Sequence, residues 1–318
     1  MPQRPASSQV HLALIVTQIF FASLSVVGKE AMLSLPWPAF TTFRIGLSAL
    51  FFAVLYLASG AEPVEKGDRK TLALYGLLGV AANQFLFLAG LTLSKATHAT
   101  ILVTSIPVFS ALLAALLGRE LLTAKKGLGI MVSLAGALGL VVLAALSSGK
   151  DLGLQSQQVF GNLLVLTNSF CYSLYLVLSK DLLGRYKAIT VTFWMFFFGL
   201  LEVLLFDLIG ALLVPGSFTW VIEGIQHTTT GAWLRLAYVV CFATVLAYGL
   251  NSWALRFAPM SLVAVYIYVQ PLVAVVLAYF VLGESLHPEE IFAALLIVLG
   301  VRIVATENAK RQKENAQP

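Results

Sequence analysis

With 318 residues, 59% of them hydrophobic and only 11% charged, the chain departs from an ordinary soluble domain, which carries roughly 45–50% and 25%. The formal charge of +5 is spread over alternate loops, which excludes a nucleic-acid patch and reads instead as an orientation signal. Cys171 and Cys241 both lie in apolar runs, so neither a disulfide framework nor a metal cluster is expected.

Ten apolar stretches follow in chain order: 11–31, 37–58, 71–93, 97–118, 125–146, 158–179, 189–212, 232–256, 260–282 and 289–305. A helix crossing a bilayer needs roughly 20 such residues, and all ten fit, the last only just. The fold class is therefore all-α integral membrane. Fifteen lysines and arginines fall on the side of the two termini and four (Lys29, Lys95, Lys150 and Arg235) on the other. That asymmetry predicts both termini in the cytoplasm. The tail 306–318 is charged and expected to be disordered.

Several of the stretches carry polar residues that need a reason to be there. Gln18 and Ser25 share a face of the first span. Arg44 stands about two turns inside the second. It either binds a carboxylate or phosphate, or snorkels outward or pairs with an acid between helices. Asn83 lies centrally in the third span, and Asn251 in the eighth. Asn168, Tyr172 and Tyr175 form one face of the sixth, and Tyr266 and Gln270 sit a turn apart in the ninth. Together they predict a polar interior, although each singly serves equally well as glue between helices. Glu202 falls near the middle of the seventh stretch, about 12 residues or roughly 18 Å from either end. An acid there faces a cavity or a partner and suits proton coupling, or is a protonated structural group. In the fifth span Gly129, Ser133, Gly136 and Ala137 permit close helix contact, within the chain or as a homodimer face.

The chain is also internally duplicated. Pro107 and Glu120 recur 164 residues later as Pro271 and Glu284, and at that offset Leu113 meets Leu277, Ala114 meets Ala278 and Gly136 meets Gly300. More weakly, Gly28-Lys29-Glu30 resembles Ser179-Lys180-Asp181 at an offset of 151. Five spans per half is an odd count, so the halves enter the bilayer with opposite polarity. The expected architecture is two inverted five-helix repeats, 11–146 and 158–305, with a midplane site at their interface. Each proline should kink its helix and free the carbonyl four residues earlier, at Val103 and Ile267, which predicts a paired hinge. Glu120 and Glu284 read as structural acids, each at the start of the helix that follows it.

With these features the chain resembles the EamA-type branch of the drug/metabolite transporter superfamily, over about 11–305. The sharpest parts are Pro107 through Thr123 and Pro271 through Leu286, and Arg44 matches an arginine often found in the second span. The second copy departs from the pattern at His287, where the first has Thr123. The resemblance implies a carrier of small polar metabolites, often outward across the inner (plasma) membrane, with amino acids as the specific expectation. Sugars and drug-like organic cations are the alternatives. No nucleotide-binding Gly-x-x-x-x-Gly-Lys-Ser/Thr occurs, so the expected drive is a proton gradient, an exchanged solute or the cargo's own gradient. No cofactor is expected; substrate, membrane lipid and protons are the expected partners. A lipid-modifying membrane enzyme would need clustered acids, a metal site or a nucleophile beside a base, and a channel a filter motif; neither pattern is evident.

Overall fold

A computed structural model describes residues 7–119, 123–147, 152–258, 263, 266–285 and 287–315. The described residues are helical, with no strand among them. The helices are α1 (Ser8–Ala31), α2 (Trp37–Ala58), α3 (Asp68–Leu93) and α4 (Ala96–Leu116), then α5 (Ala124–Ser147) and α6 (Leu152–Arg185). There follow α7 (Ala188–Leu213), α8 (Ser217–Gln226), α9 (Thr230–Phe257), α10 (Val269–Leu282) and α11 (Pro288–Asn315). Seven of these, α1 to α4, α6, α7 and α9, are long and apolar enough to cross a membrane.

Local chemistry sets several of the boundaries. Pro38 occupies the first turn of α2, where its missing N–H has no partner to lose. Gly283 closes α10 at φ 65°, a left-handed cap that lets the Glu284 N–H donate back to the Ala278 carbonyl at 3.2 Å. Linkers such as Ser94-Lys95 and Tyr186-Lys187 are so short that the helices they join run antiparallel.

In the packing, α5 lies on α11, α2 on α7 and α4 on α10. The α3 helix touches α6 and α7, α4 also touches α6, and α1 lies between α9 and α10. The small residues of α5 are spent inside the chain. A Cβ on Gly136 would stand 2.7 Å from the Ala293 carbonyl oxygen and 2.8 Å from the Ile297 nitrogen of α11. Gly300 of α11 meets Gly129 and Ser133 of α5 in the same way. Among the described residues, four ion pairs each join the N-terminal half, α1 to α5, to the C-terminal half. Lys29–Glu284 (3.1 Å) and Arg235–Glu30 (3.5 Å) lie at the α1–α2 end, Arg185–Asp68 (2.8 Å) and Arg119–Asp181 (2.7 Å) at the α2–α3 end.

Four expectations need correction. The helix containing Pro107 is interrupted rather than kinked. It unwinds at Thr104-Ser105, whose N–H groups donate to Ile101 and Leu102, and restarts at Ile106 with Pro107 in its first turn. Proline cannot continue the previous turn but suits a new one. The Ile267 carbonyl, expected to be free, accepts from the Gln270 N–H at 3.0 Å, because the chain makes a tight turn there before α10. The last helix does not stop near residue 305 but stays helical to Asn315, through most of the expected disordered tail. The connection between the seventh and eighth stretches, where no helix is expected, contains the amphipathic α8. Glu120 lies outside the described residues.

Candidate functional site

Among the described residues, α1, α2, α3, α4, α6, α9 and α10 converge on a cavity of about 60 Å3. That is room for a handful of waters and far short of the few hundred Å3 a metabolite needs. Its polar lining is Arg44, Asn83, Gln84, Asn168, Tyr172, Tyr248 and Gln270, against apolar walls that include Phe21 and Phe87.

Three helices reach the site through widened π-type turns, at Leu24–Gly28, Leu77–Ala81 and Val239–Leu246. Such a turn puts one extra residue into the helix and leaves backbone carbonyls available, which is why it recurs at functional sites. In α9 the Thr244 hydroxyl donates to the Val239 carbonyl five residues back (2.9 Å). In α3 the turn holds Gly79, where a Cβ would stand 2.9 Å from the Tyr175 ring. The freed Gly79 carbonyl accepts from the Tyr248 hydroxyl at 3.2 Å.

Arg44 is the centre of the network, with no exposed surface. Its Nε donates to Thr244 Oγ1 (2.7 Å), one terminal nitrogen to Gln84 Oε1, and the other to the Ala243 carbonyl at 3.5 Å. These three acceptors are neutral. Gln84 in turn donates to Asn83 Oδ1 (2.9 Å) and to the Tyr248 hydroxyl, and Asn168 donates to the Asn83 backbone carbonyl (2.7 Å). On the far wall Gln270 donates to Gln18. Taking a guanidinium out of water costs several kcal/mol, which neutral acceptors only partly offset. What the arrangement can do is hold a small anion against a fixed, buried cation.

A family model described as the EamA-like transporter family matches the chain twice, at residues 9–142 and 159–306. The chain belongs to that family. It is thereby a multi-pass membrane transporter. Similar proteins include an uncharacterized transporter of Archaeoglobus fulgidus, 28% identical over 95% of this chain and 99% of its own. The Arabidopsis thaliana protein WALLS ARE THIN 1 is 26% identical over 97% and 85%, and the uncharacterized transporter YyaM of Bacillus subtilis 21% over 92% of each. A solved crystal structure matches at TM-score 0.62 over 94% of this chain and 98% of its own. At 18% identity it speaks to the fold alone.

In this EamA-like bundle the sequence-expected residues separate into layers. Arg44, Asn83, Tyr172 and Gln270 line the cavity. Asn251 stands behind, donating to the Tyr172 hydroxyl at 3.0 Å, and Tyr175 packs edge-on to Tyr75 at 6.0 Å between ring centroids. Tyr266 does not line the cavity but pairs with His11 Nδ1 at 2.6 Å, two turns along α1 from the Gln18 that Gln270 meets. Among the described residues, Arg44 neither snorkels nor pairs with an acid. Gln84 and Tyr248 were not singled out from sequence. Gln84 is as central and polar as Asn83 beside it, and Tyr248 lies three residues before Asn251 on the same helix face.

The two remaining acids behave differently. Glu202 does not line the cavity, and its buried Oε2 finds no hydrogen-bond partner among the described residues. Glu284 caps a helix, but not the one that follows it. Its carboxylate accepts from the backbone N–H groups of Ala96 (2.9 Å) and Thr97 (3.0 Å) and from the Thr97 hydroxyl (3.0 Å), with Lys29 Nζ at 3.1 Å. Helix α4 has Lys95 in the capping position and no side-chain cap of its own, so the acid arrives from the other half of the chain. Burial would raise the Glu284 pKa, yet the Lys29 ammonium and the two backbone N–H groups outweigh it and hold it below the usual value.

Proposed function

We propose that the chain is a secondary carrier that moves small polar metabolites bearing a carboxylate, amino acids first among them, outward across the inner (plasma) membrane. The observation that carries this reading is Arg44, fully buried at the helix convergence with only neutral acceptors among the described residues. An intramembrane charge is costly, and one that is kept marks a ligand site or pathway by default. A cargo carboxylate supplies the missing counter-charge through paired N–H donors.

The architecture proposed with it is ten crossings in two inverted repeats, 11–146 and 158–305, with the termini and the tail 306–318 in the cytoplasm. Helix pairing supports the inversion. Equating α1 to α5 with α6, α7, α9, α10 and α11 maps α3–α6 onto α9–α1, α4–α6 onto α10–α1, and α3–α7 onto α9–α2, and each of these pairs is in contact. At the α5–α11 crossing Gly136 meets Ala293 and Ile297 while Gly300 meets Gly129 and Ser133, which are the same positions displaced by 164. The cavity then closes and opens as the halves rock, with the broken helices at Pro107 and Pro271 as hinges and the inter-half ion pairs breaking at one end at a time. Glu202 is the proposed proton-coupling group.

Counterflow of a labelled amino-acid panel into proteoliposomes, with and without a pH gradient, tests the reading. Wild type should give saturable counterflow of an amino acid, and Arg44→Gln should reduce it at least a hundredfold while the protein still folds. Loss of the proton drive in Glu202→Gln would place coupling there; a drive untouched by that variant would remove Glu202 from the mechanism. Saturable uptake of neutral sugars or organic cations with no amino-acid counterflow would overturn the cargo class.

A further inference from the structure

A second cavity, much larger than the first at about 680 Å3, opens where α2 and α7 diverge at the α1–α2 end of the bundle. That is the volume of a drug-sized ligand site. Trp37, Phe85 and Phe206 form one wall in an edge-to-face chain, with ring centroids 4.7 and 5.4 Å apart. Phe218 and Trp220 of α8 line the opposite side. Helix α8 is held there by the Thr228 hydroxyl, which donates to the Gly224 carbonyl (2.8 Å) and to the Ser34 carbonyl (3.4 Å).

The same pair of helices is packed shut at its other end. Phe52 meets Phe196 at 4.8 Å between centroids, and Tyr56 stacks on Phe193 at 4.5 Å with the rings 11° from parallel. The open end is therefore not a general consequence of how α2 and α7 cross. It also contains a half-buried acid, Asp207, which accepts a hydrogen bond from the Thr42 hydroxyl. A lipid chain would fill an aromatic cavity without needing a carboxylate, and an acid facing hydrocarbon is costly. A carboxylate beside aromatic rings is instead the recognition chemistry of an organic cation, whose charge is attracted to both.

We propose that this cavity is a binding site for a hydrophobic organic cation, with its ammonium against Asp207 and its apolar body among Trp37, Phe85, Phe206 and Trp220. The site is separate from the one at Arg44, and its test is a binding measurement that does not depend on transport.

Equilibrium binding to the purified full chain in nanodiscs would compare a labelled phenylalkyl-trimethylammonium with its neutral tert-butyl isostere. Wild type should bind the cation saturably and at least tenfold more tightly than the isostere. Asp207→Asn should erase that preference by weakening the cation alone. Gly210→Phe, placed on the cavity wall where an added Cβ would meet nothing within 4 Å, should fill the cavity and weaken both ligands. If Asp207→Asn does not fold, the cation–isostere comparison in wild type and Gly210→Phe decides alone. Equal binding of cation and isostere would overturn the proposal and leave a lipid crevice. So would cation binding unchanged in either variant, or no saturable binding at all.

Discussion

Removing the charge of Glu284 should loosen the α1–α2 end of the bundle by a predictable amount. In Glu284→Gln the shape is kept and one acceptor oxygen remains, but the Lys29 pair and the charge-assisted bonds to Ala96 and Thr97 are lost or weakened. A cap of this kind contributes roughly 0.5–2 kcal/mol. A buried pair broken on one side costs about 3–5 kcal/mol, to be discounted here because the Lys29 side chain keeps 23% of its exposure. Together about 2–4 kcal/mol is expected for the variant. At roughly 2.1 cal/mol/K per residue, that lowers Tm by about 3–6 °C for a chain of this length. The pH dependence has a definite sign. The folded pKa of Glu284 lies below its unfolded value, so the acid stabilises the fold fully above the unfolded value and loses that contribution as pH falls through the lowered one. Thermal unfolding in detergent, run from neutral pH downwards on both proteins, should show the wild-type Tm converging on that of the variant under acid. Two curves that coincide at neutral pH would refute the reasoning, because they would mean the tie carries no net stability.

Two further outcomes can be measured with the same assay. Gly136→Leu should force α5 away from α11, since even a Cβ would stand 2.7 Å from a backbone oxygen; a loss of about 1–3 kcal/mol is expected, against none for Leu at the uncrowded Gly139. Glu202→Met should leave Tm unchanged or raised, because a partnerless buried oxygen is removed, and should leave substrate affinity unchanged because the side chain does not line the cavity. A weakened substrate Kd, read by titration of the purified variant, would show that Glu202 reaches the site in another conformation.

The membrane, the run of apolar helices and the duplication were all legible in the sequence, because each is written in local composition or in a repeat at fixed offset. Arg44, Asn83 and Gln270 could be named as candidates for a related reason: a polar residue in an apolar run is conspicuous wherever the helix ends up pointing. Which way it points was not legible. Tyr266 stays outside the cavity lining that Gln270 joins, and in the widened turns of α3 and α9 the Gly79 and Ala243 carbonyls accept from Tyr248 and Arg44, contacts that no regular periodicity encodes. Glu284 shows the same limit most sharply. Its sequence neighbours identify it as a helix-capping acid, but the helix it caps begins 188 residues earlier, at Ala96. Sequence fixes what a residue can do, through its chemistry and its immediate chain. Only the tertiary structure decides to whom it does it, because hydrogen bonds and charges act over a few ångströms of space and not over distance along the chain.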